Sequence, residues 1–429
     1  MELKVFKNTV LLFVFIAVSC VNKTKQNLAI SKGGGNKSTH SNKHVTQHKE
    51  VIVGANKTDL YLPILDGKNI GLVANQTSVI FKSTTNNSAN DSERNYIHLV
   101  DSLLKLNISV KSVFAPEHGF RGTADAGEAV KDGIDIKTGL PLVSLYGNNK
   151  KPNAKQLEGI DFVVFDIQDV GARFYTYIST LHYVMEACAE LDIPVLVLDR
   201  PNPNGHYIDG PILEPEHKSF VGMHPVPVVH GMTIGEYAKM INGEGWLKNS
   251  ITCELTVIPV SNYTHKTAYS LPIKPSPNLP NDVSINLYPS LCFFEGTNVS
   301  VGRGTDKQFQ IVGSPFFKIA QETFNFTPKP NDGAKYPKHQ DKVCYGYDLS
   351  KSKSLDQINL SWLIEFYEAN TKKAPNKLFF TDFFTTLAGT KTLQQQIEKG
   401  LKQKEIKAGW QEGLNNYKEL RQHYLLYKD

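Results

Sequence analysis

The stretch FAPEHGFRGTADAGE, residues 114–128, gathers Glu117, His118, Arg121 and Glu128 on a segment too rich in glycine for a stable helix. Glycine lets a backbone approach a ligand closely, so these side chains point to a binding crevice. Two carboxyl groups in such a crevice suit glycosidic hydrolysis. That reaction needs a proton donor on the leaving oxygen and, in most families, a second carboxylate as nucleophile or base. Glu117 is the better acid, because it stands at a strand end among apolar neighbours that partly shield it. Glu128 lies in a loop that can fold back or act as a lid, and it reads equally as a solvated loop carboxylate. Asp166 and Asp169 of DFVVFDIQD (161–169) are the other sources of a second carboxylate. Asp166 can also be locked in structural hydrogen bonds.

These groups need a scaffold, and the chain alternates aliphatic strands with helical stretches from residue 69 onward. Strands are expected at 69–75, 110–116, 161–169, 194–203 and 251–260, with helices at 96–106, 177–191 and 230–247. Fully apolar strands separated by helices imply a parallel sheet covered on both faces. The expected fold class is therefore α/β: a Rossmann-like amino-terminal domain followed by a smaller α+β domain. Ligands of such sheets collect outside the carboxyl ends of the strands. Here those ends read Asn75-Gln76-Thr77, Glu117-His118, Asp166 with Gln168 and Asp169, and Asp199-Arg200 with Asn202. Four strands thus bring polar groups to one edge.

Arg173 and Tyr175 in GARFYTY open the helix after the third of these strands, where an arginine and the helix dipole favour an anionic group. The bland alternative is a core aromatic cluster with Arg173 pairing Asp169. FEGTNVSVGRGT (294–305) sets Glu295 and Arg303 in a second glycine-rich loop. No G-x-G-x-x-G follows the first strand, and neither G-x-S-x-G nor H-E-x-x-H occurs, so no dinucleotide, serine-hydrolase or zinc-peptidase reading is supported and no cofactor or metal is expected. A metal-dependent hydrolase using His118, Asp166, Asp169 and Asp199 is a competing hypothesis.

The chain has 429 residues and a formal charge of +5. Residues 1–20 carry Lys4, Lys7 and an apolar run ending in Ser19-Cys20, the layout of a secretory signal that looks like a lipoprotein processing site. Cys20 is accordingly the expected lipid anchor, with the protein facing the periplasm or exterior. Residues 21–50 are polar and read as a flexible tether. The leader carries +1 and the tether +5, which leaves the body at −1 and argues against a nucleic-acid partner. Cys188, Cys253, Cys292 and Cys344 are scattered without a CxxC pair and read as small hydrophobes. The expected domains are 51–268, catalytic, and 269–429, carboxy-terminal.

The blocks PEHGFRG (116–122), DIQDVGARFYTY (166–177), LDRPNP (198–203), SPNLPN (276–281) and FEGTNVSVGRGT (294–305) closely resemble those of the NamZ-type exo-β-N-acetylmuramidases, formerly the domain of unknown function DUF1343. The resemblance covers about residues 52–429. It implies a cleft between two domains and release of N-acetylmuramic acid from the non-reducing end of peptidoglycan fragments. Glu117 is the catalytic residue it implies, with Glu128 and Asp166 as further catalytic candidates. Substrate contacts are expected from His118, Arg121, Gln168, Asp169, Arg173, Tyr175, Asn278, Glu295 and Arg303. An arginine among Arg121, Arg173 and Arg303 is expected to hold the lactyl carboxylate of muramic acid, and Arg173→Ala to lose muramoyl substrates selectively. The alternative is a catalytically silent lipoprotein that binds wall fragments in the same cleft.

Overall fold

Strands with no polar face have to be covered on both sides, and the apolar runs of this chain build the centre of a seven-stranded sheet. The computed structural model describes residues 49–82, 96–121, 132–317 and 324–429. Cys20, most of the tether and Glu128 lie outside them.

Within the described residues the first strands are β1 (Asn69–Ala74), β2 (Val79–Phe81), β3 (Tyr96–His98), β4 (Ser109–Ala115), β5 (Gly133–Ile134) and β6 (Pro141–Ser144). They are followed by β7 (Phe162–Asp166), β8 (Val195–Leu198), β9 (Asp209–Ile212), β10 (Pro227–Val229) and β11 (Leu255–Ile258). The main sheet runs β11-β8-β7-β1-β4-β6-β5, parallel except for the antiparallel β5 at one edge. Numbering only the parallel strands in chain order gives 6-5-4-1-2-3, the doubly wound Rossmann order. The order reverses between β1 and β7, so the crevice at their carboxyl ends is the place to look for a ligand. Every residue of β7 and β8 is buried, as their uninterrupted apolar sequences require.

The helices are α1 (Thr58–Leu65), α2 (Leu99–Lys105), α3 (Tyr177–Ala189) and α4 (Ile234–Gly243). Thr233 caps α4 in the capping box expected from Glu236 three residues on. The helix expected over 96–106 is shorter, because Tyr96–His98 pairs with β2 and the His98 ring then caps α2.

Beyond β11 come α5 (Asp282–Leu291), α6 (Ser361–Lys373) and α7 (Asp382–Ala388), a three-stranded antiparallel sheet and further carboxy-terminal helices. Lys49–Asp429 forms one compact unit. A single apolar cluster runs from Val163 and Tyr177 through Phe293 to Phe384, across the boundary expected near residue 268. The last residues return to the first sheet. Tyr427 donates its hydroxyl to Asp199 at 2.6 Å, and the Leu426 N–H donates to Glu236 at 2.8 Å. Both carboxylates are fully buried.

Candidate active site

Glu117 is placed by a tight turn. After β4 the Gly119 N–H returns to the Pro116 carbonyl at 3.0 Å, and His118 sits at φ +70°. That left-handed position usually falls to glycine, and a side chain there costs about 1–2 kcal/mol. The turn sets Glu117 at the rim of the sheet's carboxyl edge. Its Oε2 accepts the Thr176 hydroxyl at 2.7 Å. Thr176 is the N-cap residue of α3, so the carboxyl group lies at the positive end of that helix. The Tyr146 phenol, two residues beyond β6, lines the same cavity and is close enough to Glu117 to feel its charge. Burial raises the phenol's pKa above its ordinary value, and the neighbouring Glu117 raises it further.

A cavity of about 760 Å³ opens above this group. Glu117, His118, Tyr146 and Thr176 line it from the sheet side, and Asn278, Glu295, Arg303 and Lys338 from the carboxy-terminal part. Tyr175, Tyr288, Phe220 and Phe309 give it aromatic surface. The Tyr175 hydroxyl is anchored to the Pro275 carbonyl at 3.0 Å, and its ring meets Tyr288 edge-on at 5.8 Å. Flat apolar faces beside a few oriented polar groups are what a sugar ring needs.

Arg303 reaches this wall from a tight loop. Gly302 and Gly304 flank it at φ +80° and +77°, and a side chain at Gly304 would meet the Lys329 carbonyl oxygen at 2.6 Å. Arg303 pairs with Glu295 through its Nε and Nη2. Burial raises the Glu295 carboxyl, but Arg303 and then Lys338 outweigh it and hold its pKa below the ordinary glutamate value. Glu295 therefore stays ionised and cannot serve as a proton donor. The Lys338 ammonium donates to the carbonyls of Phe294, Glu295 and Thr297. Burial pulls its pKa down to about 8. Two buried atoms on this wall, Arg303 Nη1 and Asn278 Oδ1, have no hydrogen-bond partner among the described residues. One donor and one acceptor are thus left for a ligand.

Of the residues expected at the site, Glu117, His118, Tyr175, Asn278, Glu295 and Arg303 share this cavity, while five others lie elsewhere. Asp166 is fully buried and held by Arg200 through two bonds of 2.6 and 2.9 Å, so it is engaged as an ion pair inside the sheet. Arg173 is also fully buried. It donates to the carbonyls of Pro211, Val226, Leu387 and Ala388, which clamps the last turn of α7 and leaves it no path to a ligand. Arg121 pairs with Asp135 and lies over the Phe120 ring. Gln168 spans the carbonyls of Asp169 and Pro201. Asp169 accepts the Gly171 N–H at 2.7 Å, and burial pushes its pKa up to about 7. The four residues of the metal hypothesis do not gather either: Asp166 is taken by Arg200, and Asp199 by Thr233, Gly235 and Tyr427. Tyr146, Thr176 and Lys338 escaped the sequence reading. Thr176 stands inside GARFYTY and could have been found as the N-cap ahead of α3. Tyr146 follows a short apolar run, PLVS, that did not register as a strand.

Residues 70–283 match the family model described as exo-beta-N-acetylmuramidase NamZ, N-terminal, and residues 286–427 match its C-terminal counterpart. The chain belongs to the NamZ family. A NamZ relative, the peptidoglycan beta-N-acetylmuramidase NamZ of Bacillus subtilis (strain 168), is 40% identical over 387 residues, covering 86% of this chain and 89% of the relative. Two DUF1343-family crystal structures from Bacteroides fragilis NCTC 9343 share the NamZ-family fold described here. One is 46% identical with a TM-score of 0.77, over 89% of this chain and 100% of that chain. The other is 27% identical with a TM-score of 0.73, over 88% and 99%. The two NamZ parts meet at the start of α5.

Proposed function

We propose that this protein is an exo-acting glycoside hydrolase that removes N-acetylmuramic acid from the non-reducing end of peptidoglycan fragments, with Glu117 as general acid. NamZ family membership and the printed activity of the Bacillus subtilis relative support the reaction class. The observation that carries the residue assignment is the position of Glu117: at the cavity, at the carboxyl end of β4 beside the strand-order reversal, and held by the Thr176 hydroxyl. In the step proposed, the Glu117 carboxyl gives its proton to the glycosidic oxygen as the bond to the anomeric carbon breaks. Water supplies hydroxide to that carbon, and its remaining proton restores the acid.

Muramic acid differs from N-acetylglucosamine by a lactyl group that carries a carboxylate. Arg303 and Lys338 supply positive charge on the cavity wall, and Arg303 Nη1 is a donor awaiting an acceptor. Asn278 Oδ1 offers an acceptor for an acetamido N–H. We assign the lactyl carboxylate to Arg303 on this ground, since Arg121 and Arg173 stand away from the cavity. The pattern of residues 1–20 further supports attachment to the cell envelope through Cys20.

The test is a paired assay of wild type and Glu117→Gln on 4-nitrophenyl glycosides of N-acetylmuramic acid and N-acetylglucosamine, with product stereochemistry followed by NMR. The wild type should release nitrophenol from the muramic glycoside, and the variant should be slower by about 10²-fold or more on substrates with a sugar leaving group. Fragment binding without hydrolysis would favour the silent lipoprotein instead.

A further inference from the structure

Strand register explains why Tyr146 reaches Glu117. Strands β4 and β6 run parallel with Ala115 opposite Ser144, and the Leu145 N–H extends the ladder to the Ala115 carbonyl at 2.8 Å. Glu117 lies two residues past Ala115, and Tyr146 lies two residues past Ser144. The two side chains therefore leave neighbouring strands at the same level. The Tyr146 N–H bonds back to the Ser144 hydroxyl at 3.3 Å, and Asn149 holds the Ser144 carbonyl at 2.6 Å. The phenol ring lies against Phe220 at 6.1 Å, and Phe220 in turn stacks on Tyr183 of α3. Tyr146 is thus half-buried, braced on both backbone and ring, and lines the cavity.

Thr176 approaches the same carboxyl group from the other side of β4, through the helix that follows β7. The Thr176 hydroxyl on one side and the braced phenol at the same level on the neighbouring strand restrict the rotation of the carboxyl group more than either would alone. Acid catalysis depends on such alignment, since misplacing a proton donor by about 1 Å can cost ~10²-fold in rate.

We propose that Tyr146 is a positioning residue for Glu117, which together with Thr176 holds the carboxyl group in the orientation that delivers its proton to the leaving oxygen. The inference rests on the assignment of Glu117 as general acid. Tyr146 acts through Glu117 and contributes only to the protonation step. Its removal therefore matters most when the leaving group is basic and needs a proton, and little when the leaving group departs easily as nitrophenolate.

The experiment compares wild type, Tyr146→Phe, Glu117→Gln and the double variant on a muramic acid disaccharide with a sugar leaving group and on the 4-nitrophenyl glycoside. Tyr146→Phe should lower kcat on the disaccharide by about 10- to 100-fold with KM within about twofold, and lower the nitrophenyl rate by less than about threefold. The double variant should be no slower than Glu117→Gln, because both changes remove the same step. Thr176→Val, which deletes the hydroxyl donor on the other side of the carboxyl group, should give the same leaving-group signature and provides the reading if Tyr146→Phe does not fold. Equal losses on both substrates, an undiminished disaccharide rate, or additive losses in the double variant would overturn the role of Tyr146. Wild-type turnover by Glu117→Gln on both substrates would instead overturn the assignment of Glu117 itself.

Discussion

Arg303 grips Glu295 in a two-pronged pair on the cavity wall, Nε to Oε1 at 2.6 Å and Nη2 to Oε2 at 3.0 Å. The pair consumes two of the guanidinium nitrogens and aims the plane of the group, while Nη1 has no partner among the described residues. Lysine keeps the charge but cannot form the fork. Arg303→Lys should therefore raise KM for muramic glycosides by about tenfold, roughly 1.4 kcal/mol of binding, and leave glucosaminyl glycosides unchanged. Initial-rate kinetics on the two substrates decide it.

Lys338 supplies the second positive charge on this wall, next to Glu295 and Arg303, and its pKa of about 8 places its titration within the working range of an assay. It is charged below that pH and neutral above it. KM for an anionic sugar should rise as pH passes from 7 to 9 in the wild type, whereas Lys338→Arg should hold it flat across the same interval. A flat wild-type profile would remove Lys338 from substrate recognition.

Arg173 requires a different expectation from the one its position in the sequence suggests. Its Nη1 and Nη2 hold four carbonyl oxygens at 2.7 to 3.1 Å, two of them at the end of α7. Arg173→Ala should cost about 3 kcal/mol or more, because buried carbonyls lose charged donors. Urea unfolding should register that loss. The protein that remains folded should lose activity equally on muramic and glucosaminyl glycosides, since Arg173 does not reach the cavity.

Asp169 should make stability fall with rising pH. Burial lifts its pKa in the folded chain to about 7, opposed by the backbone N–H groups of Gly171 and Val170, against about 4 in an unfolded chain. The folded state then binds the proton more tightly, so this stabilisation is full below about pH 4 and lost as pH climbs toward 7. Asp169→Asn keeps an oxygen for the Gly171 N–H and has no proton to lose. Its stability relative to wild type should be near parity at pH 4 and about 2–4 kcal/mol higher at pH 8, as read by urea midpoints across that range.

The scaffold was legible in the sequence because its signals are local. A strand buried on both faces must be apolar throughout, so 161–169 and 194–203 announce themselves, and the polar residues that end them mark the ligand edge. Glu117 was readable for the same reason. What a polar residue touches was not. Asp166 and Glu117 both end apolar strands, yet one faces a buried arginine 34 residues away and the other an open cavity. Arg173 finds partners 38 to 215 residues distant, a distribution with no local trace. Tyr146 was hidden by the brevity of β6, whose first three residues are partly exposed near the sheet margin. Lys338 stood in a stretch that reads only as polar, and it becomes part of the wall because three carbonyls of residues 294–297 capture its ammonium.

The return of Leu426 and Tyr427 to Glu236 and Asp199 sets a timetable for synthesis. The ribosome completes the parallel strands well before those two residues leave it, and during that interval two sealed carboxylates lack donors that the finished chain provides. The nascent amino-terminal half therefore lacks these contacts until Leu426 and Tyr427 have emerged. A tag or truncation that disturbs Leu426 and Tyr427 should depress yield far more than their distance from the cavity would suggest.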